Sequence, residues 1–442
     1  MKNFVKNFIS YIDLRFMFIF IDPLYYPSNT TFLKLVRNLK FKTYNIKLFF
    51  IELIIIILYF FNNLFKIIYS PLILFFYLSK YRFVQLNYSQ IGVLNYHLDL
   101  MIKNNLNNGY KSIIFIPKNS DFSFVKDVFK NLIIIDNIYL NLLLLPLKTC
   151  SLISCTVDKV DHYLNNNLEL TKNAPSSKIH QKYRSFKSKK SIYVFKKKYS
   201  KKMNTYLKDE LPNINLKNSF IFHQREDFYN NTSNLRGSKI DNYLKSINFL
   251  LSKNYQVIRL MHSKSKKIDS LIKNKNYFEL NTDIQINKLL QYFLIFHSKG
   301  LLCNSSGPGS IGPLFLKPVY HTNAFGVNVH AVNKHSLYLL KKIKLKNRII
   351  SYPDAISLGY FNGLFLSRRK MIKLGFENVE NTSSEILNGL KEFIKLNKNK
   401  KISKNQKKFK KFLPEYMEMK YYSSNISNNY IKKNKRLFEK FS

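Results

Sequence analysis

SFIFHQRED, at Ser219–Asp227, and GLLCNSSGPGS, at Gly300–Ser310, flank YQVIRL at Tyr255–Leu260. Each begins in a short apolar run, and helix-length segments separate the three. The first and third runs end in polar or glycine-rich residues. This alternation predicts a parallel β/α array whose strand ends carry the chemistry. Phe220, Ile221 and Phe222 suit a buried strand. His223, Gln224, Arg225, Glu226 and Asp227 follow at once, five polar residues that no core requires. In the third run, Leu301–Cys303 make a short strand, and Asn304–Ser310 turn into the apolar IGPLFL. Small residues there let backbone approach an anion, and the helix start behind them offers free N–H groups.

Arg225 on one strand end, facing Ser305, Ser306 and Gly307 on another, would hold a diphosphate. Either feature alone is ordinary: a Ser-Gly-Pro-Gly turn is usually a turn, and His-x-Arg is usually an ion-paired surface arginine. Their combination in one array points to a phosphate-type ligand.

The succession FHQRED, LRGSKIDNY, NYQVIRL and GLLCNSSGPGSIGPLFLKPVYHTN resembles a bacterial family of glycosyltransferases. That family is similar in turn to the fucosyltransferase-like branch of the GT-B enzymes, with their His-x-Arg motif. The resemblance covers about residues 88–365. At one point the chain departs from the family pattern, with Arg236-Gly237 in place of Arg-Asn. The resemblance implies a GT-B-like pair of Rossmann-like domains and a nucleoside-diphosphate sugar as donor substrate, with no separate cofactor. It implies a glycan or lipid-linked hydroxyl acceptor, in surface polysaccharide assembly. On this reading Arg225 stabilises charge growing on the β-phosphate, and His223 orients Arg225 or touches the sugar. Glu226 or Asp227 either deprotonates the acceptor or pairs with Arg225; the residues alone leave both open. Asn323, at the end of the KPVYHTN strand, is expected beside the same cleft.

The 442 residues suffice for two or three domains, and 46% hydrophobic with 15% aromatic content excludes a disordered polymer. The net charge of +46 suits anionic ligands and surfaces, although a Lys/Asn/Ile/Phe/Tyr-rich chain without Trp is also what A/T-rich coding produces. No nucleic-acid-binding pattern accompanies the charge, so specific nucleic acid is not expected. A basic, non-catalytic membrane- or nucleic-acid-binding protein is the alternative class. Cys150, Cys155 and Cys303 have no zinc-ligand spacing and fit a reducing compartment. No Asp-x-Asp follows a strand, so no essential metal is expected.

In chain order, residues 1–87 carry a hydrophobic helical segment at 48–79, interrupted by Glu52, Asn62, Asn63, Lys66 and Pro71. It reads as an interfacial or spanning attachment. The opening MKNFVKNF does not read as a secretory signal, so the expectation is a cytoplasmic protein, peripheral to or anchored at the inner membrane. Residues 88–215 read as a first Rossmann-like, acceptor domain that includes a basic linker at 165–202. Residues 216–396 read as the nucleotide-sugar domain, and 397–442 as a mobile basic tail. Within the second domain, 324–382 read as irregular acceptor loops and a return helix.

Overall fold

The computed structural model describes residues 57, 61, 64–85, 91–116, 124–148, 150, 152–156, 191–226, 236–324, 331–358, 360, 374–396, 402–414, 417–420 and 422–441. The chain divides into two compact units, 1–159 and 160–442.

The first unit holds a four-stranded parallel sheet of β1 (Tyr81–Gln85), β2 (Lys111–Phe115), β3 (Ile133–Ile135) and β4 (Ser154–Thr156), in the order β3-β2-β1-β4. Helix Ile91–Asn107 makes the first crossover and encloses an Asp99–Lys103 pair at 2.9 Å. Phe83, Ile113, Phe115, Leu147 and Ile153 form the core, with Phe83 stacked on Phe115. This sheet starts before residue 88, the boundary expected from the sequence. YRFVQ follows so closely on the hydrophobic segment that it reads as the tail of that run. Of that segment, residues 48–56 lie outside the described residues, while 64–68 and Ser70–Leu78 are helical. Among the described residues no helix is long and apolar enough to cross a membrane.

The second unit is built on seven parallel strands. They are β5 (Ser219–His223), β6 (Gln256–Met261), β7 (Tyr277–Asn281), β8 (Gly300–Cys303), β9 (Val319–Ala324), β10 (Leu337–Leu340) and, from the far end of the chain, β14 (Asn425–Ile426). Their order is β14-β10-β9-β8-β5-β6-β7. Most of their side chains are buried, which is why these strands read as apolar runs rather than alternations. The chain steps outward from β5 to β7, returns to lay β8 on the other side of β5, and continues outward again. The reversal between β5 and β8 is where open α/β sheets part their loops and bind ligands.

Three expectations are corrected here. Helix Lys197–Glu210, expected in the first domain from the end of its basic linker onward, lies in the second unit. Tyr199, Met203 and Leu207, four residues apart, make its one buried stripe, and the Tyr199 hydroxyl donates to the Leu289 carbonyl at 2.7 Å. The boundary expected at 215/216 therefore gives way to one at 159/160. Within 324–382, β11 (Lys342–Leu345), β12 (Arg348–Ile350) and β13 (Phe376–Val379) form a small antiparallel sheet in place of irregular loops. The lysine-dense tail is folded. A capping box at Ser403 and Gln406 starts helix Lys404–Phe412, with Phe409 turned inward. β14 pairs with β10, and the Glu392 carboxylate accepts from Ser427 Oγ, Asn428 N and Asn429 N at the start of helix Asn428–Lys433. The lysines hid a sparse apolar periodicity beneath their charge.

Helix Ser383–Leu396, at its expected place, lies close on β9. Tyr320 Oη donates to the Ile386 carbonyl at 2.8 Å, and a Cβ at Gly389 would overlap that hydroxyl.

Candidate functional site

β5 and β8 run side by side in the register Phe220–Gly300 to His223–Cys303. Their carboxyl ends therefore deliver Gln224–Arg225 and Asn304–Gly307 to one corner, at the reversal of strand order. Asn304 has no exposed surface and fastens the corner. Its Oδ1 accepts from the Arg225 backbone N–H at 2.9 Å. Its Nδ2 lies within donating distance of the Arg225 carbonyl (3.2 Å), the Arg236 carbonyl (3.3 Å) and Ser238 Oγ (2.9 Å). One amide so ties a strand end, the serine turn and the loop returning at Arg236. Ser238 N donates to the Arg225 carbonyl at 3.0 Å, Gln224 Nε2 donates to the Ser238 carbonyl, and buried Lys341 donates to the Gly237 carbonyl at 2.5 Å.

The cations lie in this corner. Burial, and secondarily the Arg225 charge, hold the Arg236 guanidinium below its usual range. Two cations that repel one another in a partly dry corner are relieved by an anion between them. The neighbouring turn presents Ser305, bonded to His321 Nε2 at 3.2 Å, and Ser306, only 5% exposed, whose Oγ meets no partner among the described residues. A buried hydroxyl without a partner is costly in an empty site and natural in a liganded one. The helix behind the turn is shorter than expected: a 3₁₀ turn at Pro308–Ser310, then Ile311–Leu314. Its dipole is correspondingly small. Gly312 lets that turn close down on the sheet, since a Cβ there would stand 2.7 Å from Val319 Cγ2.

His223 ends β5. Its Nδ1 lies 2.8 Å from the Leu260 carbonyl, which can only accept, so Nδ1 carries the proton and Nε2 presents a lone pair. Burial pushes its pKa down to about 4; the Leu260 hydrogen bond opposes this, and the charges of Arg259 and Arg225 add to it. His223 is thus neutral at physiological pH.

Two expected roles are corrected. Glu226 does not pair with Arg225. Its Oε1 is 2.8 Å from the Arg259 guanidinium, and its Oε2 accepts from Lys266 N at 3.2 Å. Arg259, 1% exposed in the middle of β6, also binds Glu279 at 2.8 Å and the Lys266 carbonyl at 2.7 Å. A carboxylate so engaged holds the loop after β5 in place and is poorly disposed to take a proton. Asn323 does not line an opening. It is fully buried, exchanges two 2.7 Å backbone–amide hydrogen bonds with Asn381, and gives Nδ2 to the Tyr243 hydroxyl at 3.0 Å. That hydroxyl, also 2.8 Å from Thr322 Oγ1 and 3.1 Å from Ser238 Oγ, has its pKa pushed up to about 12 by burial. Asn323 is scaffold beneath the corner. Asp227 lies outside the described residues.

Asn304, Arg236 and Arg259 were not among the expected site residues. Arg259 had a legible signal, because an arginine between Ile258 and Leu260 in a buried run must find carboxylates. Among the described residues no three His, Cys, Asp or Glu side chains cluster as a metal centre.

No family model and no curated protein matches this chain. Among solved structures it is similar to a glycosyl transferase family 9 protein from Veillonella parvula DSM 2008. That match has TM-score 0.41 and 11% identity, covering 67% of this chain and 96% of the other. It is also similar to the E. coli ADP-heptose LPS heptosyltransferase II, with TM-score 0.39 and 11% identity, covering 64% of this chain and 98% of that one. At these scores the likeness decides nothing about chemistry.

Proposed function

We propose that this chain is a metal-independent glycosyltransferase of the GT-B type, moving a sugar from a nucleoside-diphosphate sugar to a hydroxyl acceptor in surface-glycan assembly. The observation that carries the reading is the corner tied by Asn304. There Asn304 binds the backbones of Arg225 and Arg236 at the head of a serine turn whose Ser306 hydroxyl has no partner among the described residues, at the strand-order reversal.

The slow step is loss of the diphosphate as positive charge grows on the anomeric carbon. Rate enhancement then depends on donors fixed where negative charge accumulates on the β-phosphate. Arg225 supplies a two-pronged donor, Arg236 a second charge, and Ser305 to Gly307 the close approach. These cations do the work that a divalent ion does elsewhere, so turnover persists in EDTA; loss of activity in EDTA that Mn²⁺ restores refutes the metal-independent part. His223, with an unprotonated Nε2, orients a hydroxyl by accepting its hydrogen bond. A group whose conjugate acid has a pKa near 4 holds an abstracted proton poorly, which leaves Asp227 as the candidate base.

The test is a thermal-shift screen against GDP-, UDP-, ADP- and CMP-sugars. One nucleotide class that raises the melting temperature of the wild type, and does so far less in Arg225→Lys, supports the reading. Saturable DNA binding lost in salt, with no nucleotide effect, refutes it and favours the basic, non-catalytic binder.

A further inference from the structure

The helical stretch ending at Leu78 concentrates the exposed apolar side chains of the described residues: eleven large ones fall between Ile57 and Leu78. In Ser70–Leu78 and the turn before it, Tyr69, Ile73 and Phe76, at i, i+4 and i+7, make one stripe on the Phe83–Ile113–Phe115 core. The rest of the surface faces outward. Leu74, Phe75 and Leu78 are 56%, 57% and 68% exposed, and Ile67 and Ile68 just ahead are 71% and 65% exposed. A helix apolar all round belongs in a core or in lipid, and here only one stripe has a core.

Charge identifies the occupant. No Asp or Glu occurs between Leu53 and Leu98. Lys80 and Lys111, both exposed, and Arg82 border the C-terminal end of the helix, interleaved with tyrosines. The Arg82 guanidinium stands 3.8 Å over the Tyr110 ring and 5.5 Å over Tyr77, and Lys111 Nζ stands 5.3 Å over Tyr81. Cations and tyrosines rimming an apolar face match the headgroup layer above acyl chains. A second copy would bring the same cations against themselves. Residues 1–56, with eight Lys or Arg against three Asp or Glu, are no better complement.

We infer that this face docks in the plane of an anionic bilayer, with the helix lying in the interface and Lys80, Arg82 and Lys111 among the lipid phosphates. The attachment is to one leaflet, and it holds whether or not a sugar is transferred at the other unit.

The chain has no tryptophan, so Phe75→Trp places a single reporter on the face. Without lipid, its emission should be that of a water-exposed indole and independent of protein concentration. With phosphatidylglycerol–phosphatidylethanolamine vesicles it should shift to the blue, and the full chain should float with them. Phosphatidylcholine vesicles should bind it far less, and salt should weaken the anionic binding. The double variant Leu74→Glu, Phe75→Glu should lose roughly tenfold or more of the floated fraction with its melting temperature unchanged. Blue emission before lipid is added overturns the inference, because the face is then covered by this chain or a second copy. So do absence of flotation, equal binding to phosphatidylcholine, or wild-type flotation of the double variant.

Discussion

Replacing Asn304 by Asp keeps the shape of the side chain and removes its donors. The Oδ1 bond from Arg225 N survives. Of the acceptors facing Nδ2, the Arg225 carbonyl still receives Ser238 N and Gln224 Nε2, and Ser238 Oγ can turn to donate to the new carboxylate. The Arg236 carbonyl loses the amide that reaches it at 3.3 Å, which costs about 1–3 kcal/mol. A carboxylate facing that oxygen without exposed surface adds a desolvation penalty, which the Arg225 and Arg236 charges of the corner offset. A loss of about 1–3 kcal/mol follows, or about 1 M in the urea midpoint. The lost amide donor does not titrate, so the defect of Asn304→Asp should persist at pH 5 as at pH 8. Urea unfolding followed by far-UV circular dichroism at both pH values measures it, and nucleotide binding should be lost in parallel. A variant as stable as wild type at both pH values, or one that still binds nucleotide, refutes the claim that this amide holds the corner together.

Arg225→Lys keeps the charge and loses the fork, so turnover should fall roughly tenfold or more with folding intact; wild-type turnover removes Arg225 from the chemistry. Arg259→Leu strands Glu226 and Glu279 without their shared cation and should destabilise the second unit by about 3–5 kcal/mol. Glu279→Gln added to it should restore part of the loss, and a melting temperature unmoved by Arg259→Leu counts against a buried network. His223 has a folded pKa of about 4, below its ordinary 6.5. Its neutral burial is compatible with full stability above about pH 6.5, and stability is lost as pH falls toward 4 because the unfolded chain takes the proton first. His223→Gln should flatten that part of the stability–pH curve; an unchanged slope shows that the imidazole is not buried neutral.

The sheet of the second unit was legible in the sequence because β5, β6 and β8 are parallel strands buried along nearly their whole length, which leave short apolar runs. That the segments after β5 and β8 would lie side by side was legible for a related reason: polar residues at the ends of adjacent buried strands have few places to go. What could not be read was which acid binds which arginine. Glu226 is next to Arg225 in sequence, yet Arg259 reaches it from the neighbouring strand, a choice that register makes and proximity in sequence does not. Asn323 misled in the same way, since a polar residue at a strand end can turn inward when Asn381 and Tyr243 await it. The tail was misread because composition speaks for lysine-rich surfaces, while Phe409 and the Ser403 cap fold the segment beneath them.

β14 lies against β10 at the margin of the large sheet, although it is translated long after its neighbour. Throughout synthesis of residues 341–424 the nascent chain carries an open backbone ladder on β10, ready to recruit another polypeptide. Shortening the gene anywhere upstream of Asn425 would make that transient hazard permanent. Truncated products should therefore form inclusion bodies even with every residue of the Asn304 corner intact.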